Sequence, residues 1–408
     1  MAVELVASGM GVTCSIGQGK SEFADALLGG RHRFGVMRRP GRQNASAFLG
    51  AEIERLVVPN SINPHDVRTM SLSTKAAIVA LHEAWEEASL GGIAPERIGL
   101  VIGGSNVQQR ELTTVHDNYR DRVRFLRPTY ALSFMDTDLC GACTQHFGIR
   151  GLAYTVGGAS ASGQVAIVQA AQAVRSGQVD VCIAVGALMD LSYWECQGFR
   201  TIGAMGSDRF ADEPDMACRP FDRDRDGFIF GEMCGAVVVE SQNSCLRRNV
   251  RPYAALQGWQ IAMDGNRNPD PSLAGEKRAI QAALQMAGWK PSSVDYVNPH
   301  GTGSTAGDAI ELQALRECEL GNARINATKA LIGHGLSAAG TVEVIATLLQ
   351  MRAGQLHPSR NLENPIDDTF QWVGRCAEPY TMQRALTMSM GFGGINTALC
   401  WQRPDRFE

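Results

Sequence analysis

Short apolar runs alternate with longer stretches of helical periodicity along most of the chain. Strand-like runs lie at 3–13 (VELVASGMGVT), 97–105 (RIGLVIGGS), 179–190 (VDVCIAVGALMD) and 234–242 (CGAVVVESQ), with helix-like stretches at 74–89 and 160–176 between them. The later part continues the style, with strands expected at 292–298 and 386–390 and helices at 275–288 and 338–353. Buried strands separated by helices predict an α/β fold. At one place the pattern is sharper. Leu152 to Val156 is strand-like, Gly157 and Gly158 break it, and a helical pattern starts at Ser160. That is a strand–turn–helix elbow.

The alternation also repeats itself. Sliding the chain by 177 residues lays SASGQVAIVQAAQAVRSGQ (160–178) over SAAGTVEVIATLLQMRAGQ (337–355). Seven of the nineteen positions are identical, among them Ser160/Ser337, Gly163/Gly340 and Arg175/Arg352. Each copy reads as a small-residue start, a helix apolar nearly all round, and a glycine stop, which predicts two buried helices back to back in a duplicated unit. No linker or low-complexity run separates the halves. The expected division is a soft one, 1–250 and 251–408, within one body.

Composition narrows the function classes. With 408 residues, 44% hydrophobic and 20% charged, the chain can bury a large core, and its formal charge of −4 leaves no electrostatic footprint for nucleic acid. No apolar run approaches membrane-spanning length. The eleven cysteines have no repeating frame and the N-terminus lacks a basic, then apolar, leader, so a reduced cytoplasmic protein is expected. CGAC at 140–143 reads as a redox pair or as buried structural thiols, and the second reading is preferred because no partner pair lies at zinc spacing. DRDRDG at 222–227 opens like a calcium loop, but the twelfth position, where a bidentate glutamate is needed, is Met233. No metal is expected.

Four segments carry candidate chemistry. Ser160 at the elbow is either a helix N-cap or part of a site that favours negative charge, since unpaired N–H groups point at a helix start. In VNPHGTGSTAGDAIE (297–311), His300 follows a strand and precedes a glycine loop, a place for a proton or hydrogen-bond donor or for a structural histidine. TKALIGHG (328–335) sets Lys329 and His334 five apart, just ahead of the second repeat helix. In MSMGFGGINTALC (388–400), the glycines around Phe392, Gly393 among them, free backbone N–H groups for an oxyanion and room for the ring to move.

In this order and with these gaps, together with GMGV at 9–12 and RPFDRDRDGF at 219–228, the segments resemble the β-ketoacyl synthases of fatty-acid and polyketide synthesis, in the thiolase superfamily. The resemblance spans nearly the whole chain. It implies the thiolase fold, a five-layered α-β-α-β-α sandwich of two similar halves, and a homodimer paired through the central sheets. It also implies that His300 and His334 are the catalytic histidines that bind a malonyl thioester carbonyl. Lys329 would be their supporting lysine, and Phe392 the gate whose N–H, with Gly393 beside it, completes an oxyanion hole with that of residue 160. Thr302 would contact the pantetheine arm, with Ser304 where a second threonine is common, and Glu343 would be a structural acid near the site. The partner implied is an acyl carrier protein bearing the substrate on its 4'-phosphopantetheine arm, with no separate cofactor. The arginine-rich run Arg120, Arg122, Arg124 and Arg127 could face that carrier, a second copy, or solvent.

The resemblance breaks at the elbow, where the family's cysteine nucleophile is replaced by Ser160. A thiolate forms readily at a helix N-terminus, a serine alkoxide does not, and an oxygen ester is a poorer acyl donor than a thioester. Condensation should be impaired, whereas loss of carbon dioxide needs only donors for an enolate oxygen. Serine variants of this kind are similar to the free-standing decarboxylases of polyketide β-branching cassettes, which turn malonyl carrier protein into acetyl carrier protein. Decarboxylation is therefore the leading expectation. A Ser160-dependent acyl transfer or condensation comes second, and a non-catalytic partner subunit third. Met233 and Cys234 also stand where the family has small residues, so a reshaped loop is expected there.

Overall fold

The computed structural model describes residues 4–404. The first half contains β1 (Leu5–Cys14), α1 (Leu72–Glu87), β2 (Ile98–Gly103), β3 (Ala153–Val156), α2 (Ser162–Arg175), β4 (Val181–Gly186) and β5 (Met233–Ser241). The second contains β6 (Ala254–Met263), α3 (Leu273–Ala287), β7 (Tyr296–Asn298), α4 (Gly307–Glu317), β8 (Arg324–Ile325), α5 (Ala339–Ala353), β9 (Arg384–Gly391) and β10 (Ile395–Gln402). Strand order in the first half is β1-β5-β4-β2-β3, and in the second β6-β10-β9-β7-β8. In both, the first two pairings are antiparallel and the last two parallel. The 177-residue offset is thus a duplicated topology. The halves join where Val6 and Ala7 of β1 pair with Ala255 and Ala254 of β6.

Layering follows from where small residues let backbones meet. A Cβ on Gly11 of β1 would lie 1.9 Å from the Ala80 carbonyl oxygen of α1, so only glycine allows the helix this close to the strand. The middle layer is α2 against α5, and it closes at equivalent positions. A Cβ on Gly163 would lie 2.8 Å from the Thr341 nitrogen, and one on Gly340 would lie 2.9 Å from Gln164 Cγ. Both helices are buried on nearly every side, as their all-round apolar sequences require. With α1 outside one sheet and α3 and α4 outside the other, the result is the five-layered thiolase sandwich.

Two long strands, β6 and β10, escape the sequence pattern. Their register shifts between Leu256 and Gly258, and this irregularity destroys the two-residue alternation that would mark β6. GEMCGA is not a reshaped loop, contrary to expectation. Met233 opens β5, and its side chain fills the space above Gly335, where a Cβ would come within 2.3 Å. Cys140 and Cys143 sit buried on the helix Thr137–Phe147, with both thiols pushed up by burial. Asp222 of the DRDRDG stretch is fully occupied by Arg219 and by the N–H groups of Asp224 and Asn364, tying this loop to the second half.

Candidate active site

The elbow forms as the sequence expects, with the α-helix starting two residues later, at Ser162. β3 ends, Ala159 takes a left-handed φ of 46°, and a single 3-10 turn, Ala159–Ala161, leads into α2. The N-cap reading of Ser160 is not what the structure shows. The local hydroxyl that ties the turn is that of Ser162, which accepts from the Gly158 N–H at 2.9 Å and donates to the Ala159 carbonyl at 2.7 Å. Ser160 is thereby left free to point outward, and its Oγ lies 2.9 Å from His334 Nε2.

His334 follows the helical turn Lys329–Ile332 and a glycine. Its N–H donates to the Ile229 carbonyl at 2.7 Å, which fixes the backbone beneath the ring. The ring meets Phe228 and His300 edge-on, with centroids 5.2 and 5.4 Å away. His300 leaves the end of β7 on a loop held from below by α4. Glu311 accepts the N–H groups of His300 and Gly301, and Asp308 accepts those of Thr302, Gly303 and Phe221. Three residues apart, the two acids share one helix face. This D-x-x-E support is legible in GDAIE but carries no signal of its own.

Lys329 and Glu343 lie behind the histidines. Lys329 Nζ donates to the His300 carbonyl and, at 2.6 Å, to Glu343 Oε1, and both side chains are almost completely buried. Burial holds both histidines well below their ordinary range, helped by the Lys329 cation beside each. They are neutral at physiological pH, so each ring can offer one N–H. The Nδ1 atoms of both are buried without a partner. Burial also pushes Glu343 up to about 7, against the pull of Lys329, and Asp308 up to about 6.

A cavity of about 190 Å³ opens over these groups. Ser160, His300, His334, Thr302, Ser304 and Phe392 all line it. Lys329 and Glu343 do not reach it. Gly393 makes the turn beside Phe392 with a φ of 90°, while Gly391 and Gly394 form the wall. A Cβ on Gly391 would lie 2.3 Å from the Gly158 carbonyl oxygen, so this glycine seats the Phe392 turn directly on the elbow. Phe392 is 40% exposed and approaches Phe199 at 6.2 Å. Met189, Phe199 and Phe228 make the inner end apolar, and no sequence motif points to them.

The buried groups set a direction for stability against pH. Asp308 and Glu343 bind a proton more tightly folded than unfolded, so what they contribute is lost as pH rises from the ordinary carboxylate range through about 6 and 7. The lowered histidines, with His357 at about 4, act oppositely, contributing above about 6.5 and losing it as pH falls. Glu311, pushed up to about 8, extends the carboxyl effect, which outweighs the fading histidine effect above about pH 6.5. Thermal melts at constant ionic strength should show Tm falling between pH 6.5 and 8, and a flat or rising series would contradict this balance.

Comparison with known proteins shows the family and the fold. The family model described as Beta-ketoacyl synthase, N-terminal domain, matches residues 4–244, and that described as Beta-ketoacyl synthase, C-terminal domain, matches 253–363. The chain is 60% identical over 403 residues to the polyketide biosynthesis malonyl-ACP decarboxylase PksF of Bacillus subtilis (strain 168), covering 99% of this chain and 97% of that protein. It is 29% identical to the chloroplastic 3-oxoacyl-acyl-carrier-protein synthase I of Arabidopsis thaliana, covering 97% and 86%. The crystal structure of a β-ketoacyl synthase from Burkholderia phymatum STM815 superposes with a TM-score of 0.90 at 26% identity, covering 99% and 100%.

Proposed function

The chain belongs to the β-ketoacyl synthase family, and from that premise we propose that it decarboxylates malonyl-acyl carrier protein to acetyl-acyl carrier protein in polyketide biosynthesis. The observation that carries this reading is the joint one at the elbow. By the family resemblance Ser160 takes the place of a condensing enzyme's nucleophile, and in support of decarboxylation both neutral histidines line the same cavity beside it. The relative that is 60% identical bears the corresponding name.

The roles follow from the geometry. The pantetheine arm enters past Thr302 and Ser304. The thioester carbonyl sits between His300 and His334, whose N–H groups take up the charge that builds on oxygen as carbon dioxide leaves. The backbone N–H groups at Ser160 and at the Phe392–Gly393 turn add to that environment, and Phe392 guards the entrance. Lys329 positions His300 through its carbonyl, and Glu343 anchors Lys329. The organic chemistry needs neither a covalent enzyme intermediate nor a cofactor beyond the carrier's own arm.

The Ser160–His334 contact is the observation that favours the acyl-transfer reading instead. A serine nucleophile, however, needs a base that a third group orients, and His334 Nδ1 has no such partner. A second copy of the chain is expected along β3, an edge strand with Tyr154 exposed. The site would then belong to a homodimer working beside the other enzymes of a β-branching cassette.

One preparation tests the reading. Incubated with malonyl-loaded carrier proteins of its own pathway, the protein should convert the pantetheine-bound malonyl group to acetyl without extension, at a solution mass twice 44.0 kDa. Ser160→Ala should keep the conversion within about tenfold, the scale of one lost hydrogen bond. Unchanged malonyl carrier, or an acyl adduct on Ser160 by intact mass, would sink it.

A further inference from the structure

Decarboxylation has a second half that condensation lacks: the carbanion must be protonated rather than joined to an acyl group. The motifs shared with condensing enzymes therefore have no reason to contain that acid. The cavity wall holds a candidate outside them.

Glu276 lies in the first turn of α3, whose start is capped by Ser272 through the Gly275 N–H. It lines the same cavity as Ser160 and the two histidines, yet is only 2% exposed. Its Oε2 is buried without a hydrogen-bond partner. The charged groups around it are mostly acids: Asp264 at the end of β6, and Asp308 and Glu311 on α4. From β10 the facing polar group is Asn396, which donates to Asp264. Nearby cations are committed elsewhere, Arg278 to Asp264 at 3.7 Å, Arg225 to Asp308 at 3.6 Å, and Lys277 outward to Glu317. Asp270 stands on the cavity wall as well. An ionised carboxylate at Glu276 would have neither cation nor donor, a costly state in a buried place. Burial and the neighbouring acids accordingly hold its carboxyl well above the usual range.

We propose that Glu276 is the acid that delivers the proton replacing the lost carboxylate at C2 of the substrate. This rests on the decarboxylase reading above. The C2–carboxylate bond breaks, its electron pair moves into the enolate, and carbon dioxide departs. A proton then passes from the Glu276 carboxyl to C2, directly or through one water, giving the acetyl thioester. The carboxylate left behind faces Asp264, Asp308 and Glu311, which favour its prompt reprotonation from solvent.

The test follows carbon dioxide release and acetyl-carrier formation from pH 6 to 9 for wild type, Glu276→Gln and Glu276→Asp, with melting curves for each. Wild type should lose kcat on the alkaline side. Glu276→Gln should be slower by about 10²-fold at unchanged KM, with the alkaline limb gone, and Glu276→Asp should recover part of the rate with a displaced limb. A Gln variant with wild-type rate and limb overturns the proposal. Should the Gln variant fail to fold, wild-type exchange of the acetyl hydrogens of acetyl carrier in D2O decides: run in reverse the step needs the Glu276 carboxylate, so exchange should fall on the acid side, and exchange with no acid limb overturns the proposal equally. Wild type that releases no carbon dioxide refutes the decarboxylase reading itself, which separates the two failures.

Discussion

His334→Ala is expected to lower kcat for malonyl-carrier decarboxylation by about 10²–10³-fold, the loss typical when one donor to a developing oxyanion is removed from a buried site. The environment argues for the upper part of that range. The ring is walled by Phe228 and His300 and is only 3% exposed, so little water can replace it. Transition-state charge there has few other donors to turn to. The fold should tolerate the change, because the contact between His334 and Ile229 is made by backbone and survives any side chain. KM should move little, since a thioester carbonyl accepts only weakly before its bond to the carboxylate breaks. His300→Ala should behave alike, and the double variant should lose less than the product of the singles, because both donors serve one oxygen. Pantetheine mass against time reads all three. A His334→Ala protein within threefold of wild type would remove the histidines from the mechanism.

Much of this was legible because the chain states it twice. The fold class followed from alternating apolar runs, and the duplicated topology from one offset that superimposes Gly163 on Gly340, the two residues at which the middle helices touch. The family followed from four segments in order, each weak alone. What escaped notice did so for physical reasons. β6 was hidden by a register break, which erases the very periodicity by which strands are recognised, and β10 by burial along nearly its whole length, which leaves no polar face to alternate. Ser160 was open to reading as a cap because a serine at a helix start usually is one. Two residues on, Ser162 had the same claim, and only coordinates show which hydroxyl turns inward.

Acids are the other blind spot. Asp308, Glu311 and Glu276 look like ordinary charged helix residues in sequence, since nothing local says that two neighbouring helices will bury them against one cavity. Their significance lies in shared burial, and for Glu276 in the lack of a facing cation, both properties of the assembled fold. Lys329 and Glu343 were both named through the resemblance, but that they pair, buried at 2.6 Å, is visible only in the fold. Such a pair is weak evidence for stability and better evidence for position, because removing one partner leaves an uncompensated buried charge. Here what it positions is the His300 backbone.

Ser160→Cys is the complementary experiment, expected to create the thiol nucleophile that the family resemblance places at this corner. The corner keeps the geometry of a nucleophile site: a left-handed Ala159, a helix start behind, and a neutral His334 within hydrogen-bond reach of the side-chain tip. A thiol there has an ordinary pKa near 8.5, which a helix N-terminus lowers toward or below 7.5, raising the thiolate fraction at pH 7 by roughly tenfold. Of the eleven native cysteines ten are buried and only Cys376 is exposed, so wild type should take one equivalent of iodoacetamide. The variant should take two, the faster at position 160, and when both are given an acyl thioester the variant should form an acyl adduct there and wild type none. Decarboxylation should persist within a few-fold, because its donors are unchanged. If position 160 stays unreactive with a folded protein, the elbow is not a nucleophile site, and the difference from condensing enzymes lies deeper than one atom.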